Sequence, residues 1–234
     1  MATLRLLALV VLTGLAAPSL ASERIPPAQS GPSPLIRAFD PDRIFAGDLR
    51  PGSDDALILT VFASARDDYA PDYSLAIAYR CLPTEIAGRD RCGYVARTLR
   101  VAPGEDAYGH SLRLNLDGRA RDPANADDLA RLLDEGALQW LEADVGACER
   151  GIFAMDSVRV ADWNPDVHTA LQAVEDRDVI LHPALIRVRM TGFYTTSRYE
   201  GWVLADGVPA AVRQLGETLE PCWRPATSPR PWER

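Results

Sequence analysis

The sequence predicts an α+β protein in which a largely antiparallel sheet is packed by about three helices and stapled by disulfides, after a cleaved signal peptide and a Pro-rich N-terminal arm. Three observations predict this. Several runs alternate apolar and polar residues with period two, the pleat of a strand. Other segments repeat apolar residues every three or four positions behind helix-capping residues. Four cysteines, Cys81, Cys92, Cys148 and Cys222, all follow an export-type leader, and an even number in an exported chain reads as a disulfide framework.

The leader is MATLRLLALVVLTGLAAPSLA, with one positive charge at Arg5, an apolar run from Leu6 to Ala17 and small residues at Ser19 and Ala21. Residues 1–21 are therefore expected to be removed after Ala21. The apolar run is shorter than the ~20 residues a spanning helix needs, and Pro18 interrupts it. No later run is long enough either, so no transmembrane segment is expected. Loss of Arg5 leaves 24 basic residues against 33 acidic ones, a net charge of −9. Such an acidic surface disfavours nucleic acid and anionic membrane as partners. Every basic residue is arginine. The total absence of lysine points to a GC-rich bacterial genome, and hence to the periplasm or the medium as the compartment.

Residues 22–51 carry Pro26, Pro27, Pro32, Pro34, Pro41 and Pro51 and read as a linker or wrapping arm. A single domain over 52–223 follows, then a tail, 224–234, whose composition predicts disorder. Ala56 to Ala63 is a continuous apolar run with β-branched members, which fits a strand covered on both faces. Tyr73 to Cys81 alternates cleanly, and Cys92 to Val101 is its expected partner. Pairing Cys81 with Cys92 raises a conflict: Cys92 would share a face with Tyr94, Ala96 and Thr98, opposite to Val95, Leu99 and Val101. A bulge, or a bridge placed in the loop, would resolve it. His110 to Leu116 reads as a fourth strand of an antiparallel meander.

Asp122-Pro123 is expected to start a helix with Ala126, Leu129, Ala130 and Leu133 inward and Gly136 as its stop. Leu138 to Val145 and Ile152 to Val160 are ambiguous between strand and helix. Asn164-Pro165 opens a second short helix through Val167, Leu171 and Val174. After Asp206-Gly207, Val208, Val212, Leu215 and Leu219 give a closing helix that Pro221 ends. The expected disulfides are Cys81 with Cys92 and Cys148 with Cys222, contributing about 2.8 and 4.5 kcal/mol by the chain-entropy model. Without CxxC or HxxxH spacing, no metal site and no cofactor are expected.

Leu185 to Ala205 is the clearest local statement, two period-two runs around a polar break. A four-residue loop at Tyr194 to Ser197, or a two-residue one at Thr195 and Thr196, would set Arg189 opposite Trp202. Ile186, Val188 and Met190 then share a core face with Gly201, Val203 and Ala205. The other face carries Arg187, Arg189, Glu200 and Trp202, and this mixed surface of guanidiniums and indole is the candidate binding site.

Catalytic signatures such as GxSxG, SxxK, HExxH, the P-loop and GxGxxG do not occur in the chain. The three histidines are His110, His168 and His182. His168 in DWNPDVH, with Asp166 and His182, is the one constellation from which a metal-assisted exported hydrolase could be built. The favoured expectation is instead a non-catalytic, periplasmic or secreted binding module whose partner is another protein or a small envelope ligand, held by the Arg and Trp face.

Overall fold

The period-two runs assemble into one seven-stranded antiparallel sheet in the computed structural model of the chain, which describes residues 34–50, 54–64, 71–83, 90–102, 125–163, 185–192, 194–203 and 206–233. The strands are β1 Ala56–Ser64, β2 Pro71–Pro83, β3 Asp90–Val101, β4 Leu138–Asp144, β5 Leu185–Thr191, β6 Thr196–Trp202 and β7 Arg224–Pro225, in the order β6-β5-β1-β2-β3-β4-β7. β1 to β4 run as a meander, and the β5–β6 hairpin returns to pair with β1. The fourth meander strand is Leu138–Asp144, which the sequence left ambiguous. Residues 110–116 lie outside the described residues.

Both faces of the sheet are buried. On the first, Leu59, Val61, Leu75, Ile77, Ala96 and Val188 form one core; on the second, Phe62, Ala76, Ala78, Leu99 and Trp140 form another. This resolves the Cys81–Cys92 conflict without a bulge between β2 and β3. Cys81 lies directly opposite Cys92 and is bonded to it, and the register continues unbroken through Tyr79 with Tyr94 and Ile77 with Ala96. The apolar sides of β2 and β3 need not coincide when both faces have cover. The register irregularities lie instead between β1 and β2, from Leu57 to Leu59 and from Ala63 to Ser64.

Four helices lie among the described residues: α1 Pro34–Ala38, α2 Ala126–Asp134, α3 Gly151–Val160 and α4 Val208–Leu219. α3 and α4 cover the first face through Ala154, Met155, Val158, Val208, Val212, Leu215 and Leu219. Gly151 opens α3 because a Cβ there would stand 2.3 Å from the Val145 carbonyl oxygen. α2 starts later than expected. Asn125 is its N-cap, accepting the Asp128 N–H at 3.0 Å, and the buried pair becomes Leu129 and Leu132, with Ala126 exposed. Gly136 ends it with φ +74. The second helix expected from Pro165 lies outside the described residues. The second disulfide joins Cys148, before α3, to Cys222, after α4.

Residues 34–50, taken from sequence as part of a Pro-rich arm, pack on the second face. Leu35, Ala38, Phe39, Ile44 and Phe45 are all buried there, beside Leu129 and Leu132 of α2. Two charged knots fasten this segment. Arg97 of β3, 4% exposed, donates to Asp48, donates to Glu142 at 2.6 Å and lies 4.5 Å from the Phe45 ring centroid. At the start of β1, Asp55 accepts N–H groups from Cys81 at 2.9 Å and Arg50 at 3.1 Å. Burial by itself pushes the Asp55 carboxyl up, but these hydrogen bonds and the Arg50 guanidinium outweigh it and hold its pKa below the ordinary value.

The C-terminal segment corrects a compositional expectation. Residues 224–233 are not a disordered tail: β7 pairs with β4, Trp140 donates its indole N–H to the Ser228 carbonyl at 3.2 Å, and Pro231 is buried. The Cys222 bond fixes where the segment begins, and the buried indole of Trp140 supplies a donor that needs an acceptor. All the described residues belong to one unit, Pro32–Arg234. Among them no helix is long and apolar enough to cross a membrane.

Candidate binding cleft

The hairpin is built in a register four positions away from the expected one. Arg189 faces Arg198, Arg187 faces Glu200, and Trp202 faces Leu185. The last pair before the turn is therefore Thr191 with Thr196, and the Gly192 N–H donates to the Thr195 carbonyl at 2.8 Å. The expected pairing of Arg189 with Trp202 is thus corrected. The sorting of side chains between faces survives, because a shift by an even number leaves it unchanged. What selects this register is Tyr199. It stands opposite Val188, itself paired with Val61, and buries its ring in the first core to 7% exposure. Gly201 leaves the room, since a Cβ there would lie 2.6 Å from the Tyr199 hydroxyl.

On the opposite face the hairpin lines a cleft of about 680 Å³, whose other walls are the 36–42 segment and the outer half of β1. Four guanidiniums line it: Arg37, Arg187, Arg189 and Arg198. Arg189 makes a two-pronged pair with Asp42, one arm at 3.1 Å. Arg187 donates from Nε to Glu200 at 3.2 Å and lies 5.6 Å from the Phe62 ring centroid. Asp42 is presented by a single 3-10 turn, Pro41–Arg43, whose first N–H bonds the Asp40 carboxylate at 3.0 Å. Arg37, at the end of α1, and Arg198 have no carboxylate partner among the described residues. Thr60 and Phe62 form the floor, both nearly buried.

Arg187, Arg189 and Glu200 of the sequence-derived site are thus brought together in one cleft. Trp202 is 38% exposed on the same face, at the far end of the hairpin, and is not among the residues lining the cleft. Sequence reasoning missed Arg37, Asp42, Phe62 and Arg198. Arg198 was within reach, because its parity places it with Arg187 and Arg189. Arg37 and Asp42 carried no local signal, since they arrive from a segment nearly 150 residues away in sequence. His168, Asp166 and His182 lie outside the described residues.

Titration adds little acid-base chemistry to the described residues. Burial raises the pKa of Tyr73 and Tyr199. Glu220 is lowered, chiefly by the two-pronged hydrogen bond from Arg100 at 2.6 and 2.8 Å. Each of these displacements, like that of Asp55, leads away from neutrality, whereas a general acid or base is useful near it. Among the described residues no group of three or more metal-ligating side chains converges. No family model, curated protein or solved structure matches the chain.

Proposed function

We propose that this chain is an exported, non-catalytic binding module that holds its ligand in the cleft between the 36–42 segment and the β5–β6 hairpin. The observation that carries the reading is the gathering of four guanidiniums, against the three carboxylates of Asp40, Asp42 and Glu200, in one recess of a chain whose formal net charge is −8. Clefts of this size bury small molecules, and a few fixed polar groups on a rigid scaffold supply orientation. Arg187 and Arg189 are such groups: each is paired with a carboxylate, and Arg187 also lies beside an aromatic ring. They sit on an interior strand, so the scaffold under them is fixed.

Export to the periplasm or medium, with residues 1–21 removed and part of 22–51 as a connecting arm, is part of the same reading. Its support is the leader composition together with two disulfides that pair all four cysteines. Intact-mass analysis of the protein recovered from the cell envelope should give a chain beginning at Ser22 with four hydrogen atoms fewer than the fully reduced form.

The binding reading is tested by native mass spectrometry of the protein purified from its own envelope fraction. A ligand should accompany the wild type and be absent from an Arg187→Ala, Arg189→Ala variant whose circular dichroism is unchanged. Equal retention by both proteins would remove the cleft as the site.

A further inference from the structure

Resting on that reading of the cleft, we propose that the group recognised there is a carboxylate or phosphate on a small organic molecule, and that Asp42 is a built-in competitor for it. Arg189 and Arg198 occupy directly opposed positions on β5 and β6. Like charges in that relation destabilise a sheet. One of the two is offset, by Asp42; Arg198 has no carboxylate partner among the described residues, and neither has Arg37 on the facing wall. An anion entering the cleft supplies the missing counter-charge. A neutral ligand would leave the opposed guanidiniums as they are.

The Asp42 pair shows what fits the seat. A carboxylate already meets the Arg189 fork with both oxygens, the geometry in which guanidinium reads planar or tetrahedral oxyanions. The pair is half open to water, with side-chain exposures of 31% and 51%. Exposed pairs of this kind exchange readily, so Asp42 lowers affinity for an incoming anion by a factor of roughly two to five rather than blocking it. A volume near 680 Å³ far exceeds one oxyanion, which calls for an organic body lying against Phe62 and Pro41. A polyanion such as nucleic acid is disfavoured, because the remainder of the chain is strongly acidic and repels it at long range.

Isothermal titration of the full exported chain at low salt, with citrate and with glycerol 3-phosphate as separate probes and glycerol as the neutral control, tests this. At least one anion should bind with one-to-one stoichiometry, and which one separates carboxylate from phosphate. Arg198→Ala and Arg37→Ala should each weaken it about tenfold, as expected for loss of one charge-assisted contact. Asp42→Asn should strengthen it roughly two- to fivefold. Neither anion binding to wild type or to Asp42→Asn overturns the proposal, as does anion binding that ignores Arg198 and Arg37. If a neutral compound or an acidic peptide is instead the species that accompanies the native protein and is lost with Arg187 and Arg189, this proposal falls while the binding reading stands.

Discussion

Arg97 and Asp55 are buried charges, and each attaches the 34–50 segment to the sheet in a different way. Arg97 bridges Asp48 and Glu142 while stacking on Phe45, so its removal strands two carboxylates against an apolar layer. A fully buried partner left alone costs about 3–5 kcal/mol, but Asp48 and Glu142 are 20% and 31% exposed and can rehydrate. Arg97→Met should therefore destabilise by about 1–3 kcal/mol, read from the urea midpoint. Asp55 gives a pH signature. Its folded pKa lies below the unfolded value, so the carboxylate stabilises the fold fully above about pH 4, and that contribution disappears as pH falls through the folded pKa. The difference in urea midpoint between wild type and Asp55→Asn should be largest at neutral pH and shrink below about pH 4. A difference that grows on acidification would show that the carboxyl is raised, not lowered.

At the scale of elements, the hairpin illustrates how face and register are decided by different things. Face follows from alternation, and Arg187, Arg189 and Glu200 fall together for that reason. Register follows from the turn and from what the core accepts, and here the core takes Tyr199. Gly201 is the residue that permits this. Gly201→Ala should push the Tyr199 ring off its seat and destabilise by about 1–3 kcal/mol, the usual range for overpacking. The tyrosine fluorescence and the amide shifts of β5 and β6 should change with it. An unaffected melting curve and unshifted amides would mean that the ring has another place to lie.

For the molecule as a whole, the two bridges have different reach. Cys81–Cys92 spans 11 positions between paired neighbours, whereas Cys148–Cys222 spans 74 and ties the two helices on one face to the start of the C-terminal segment. Chain entropy assigns about 4.5 kcal/mol to the longer loop and about 2.8 to the shorter, so reduction should act mainly through the longer one. A Cys148→Ser, Cys222→Ser variant should lose more stability than a Cys81→Ser, Cys92→Ser variant. It should also show faster amide exchange at 224–233, which the shorter bridge does not restrain. The opposite ranking would show that the cross-strand bond between β2 and β3 matters beyond chain entropy.

Much of this arrangement was legible in the sequence because its causes are local. A continuous apolar run marked β1, alternation marked β2, β3 and the hairpin, spacing behind Asp206-Gly207 marked α4, and cysteine number and position marked the framework. The Arg face followed from parity. Leu138–Asp144 and Gly151–Val160 were not legible, because short apolar runs fit strand and helix equally until a partner exists. Composition left residues 34–50 as a linker or a wrapping arm and predicted a disordered tail at 224–234, since it cannot register a waiting apolar surface or a disulfide anchor. By itself, then, the sequence determined which residues share a face. Only the tertiary structure decided which segment covers that face, and so put Arg37 and Asp42 in one cleft with Arg189 and Arg198, because it joins positions about 150 residues apart that leave no periodic trace along the chain.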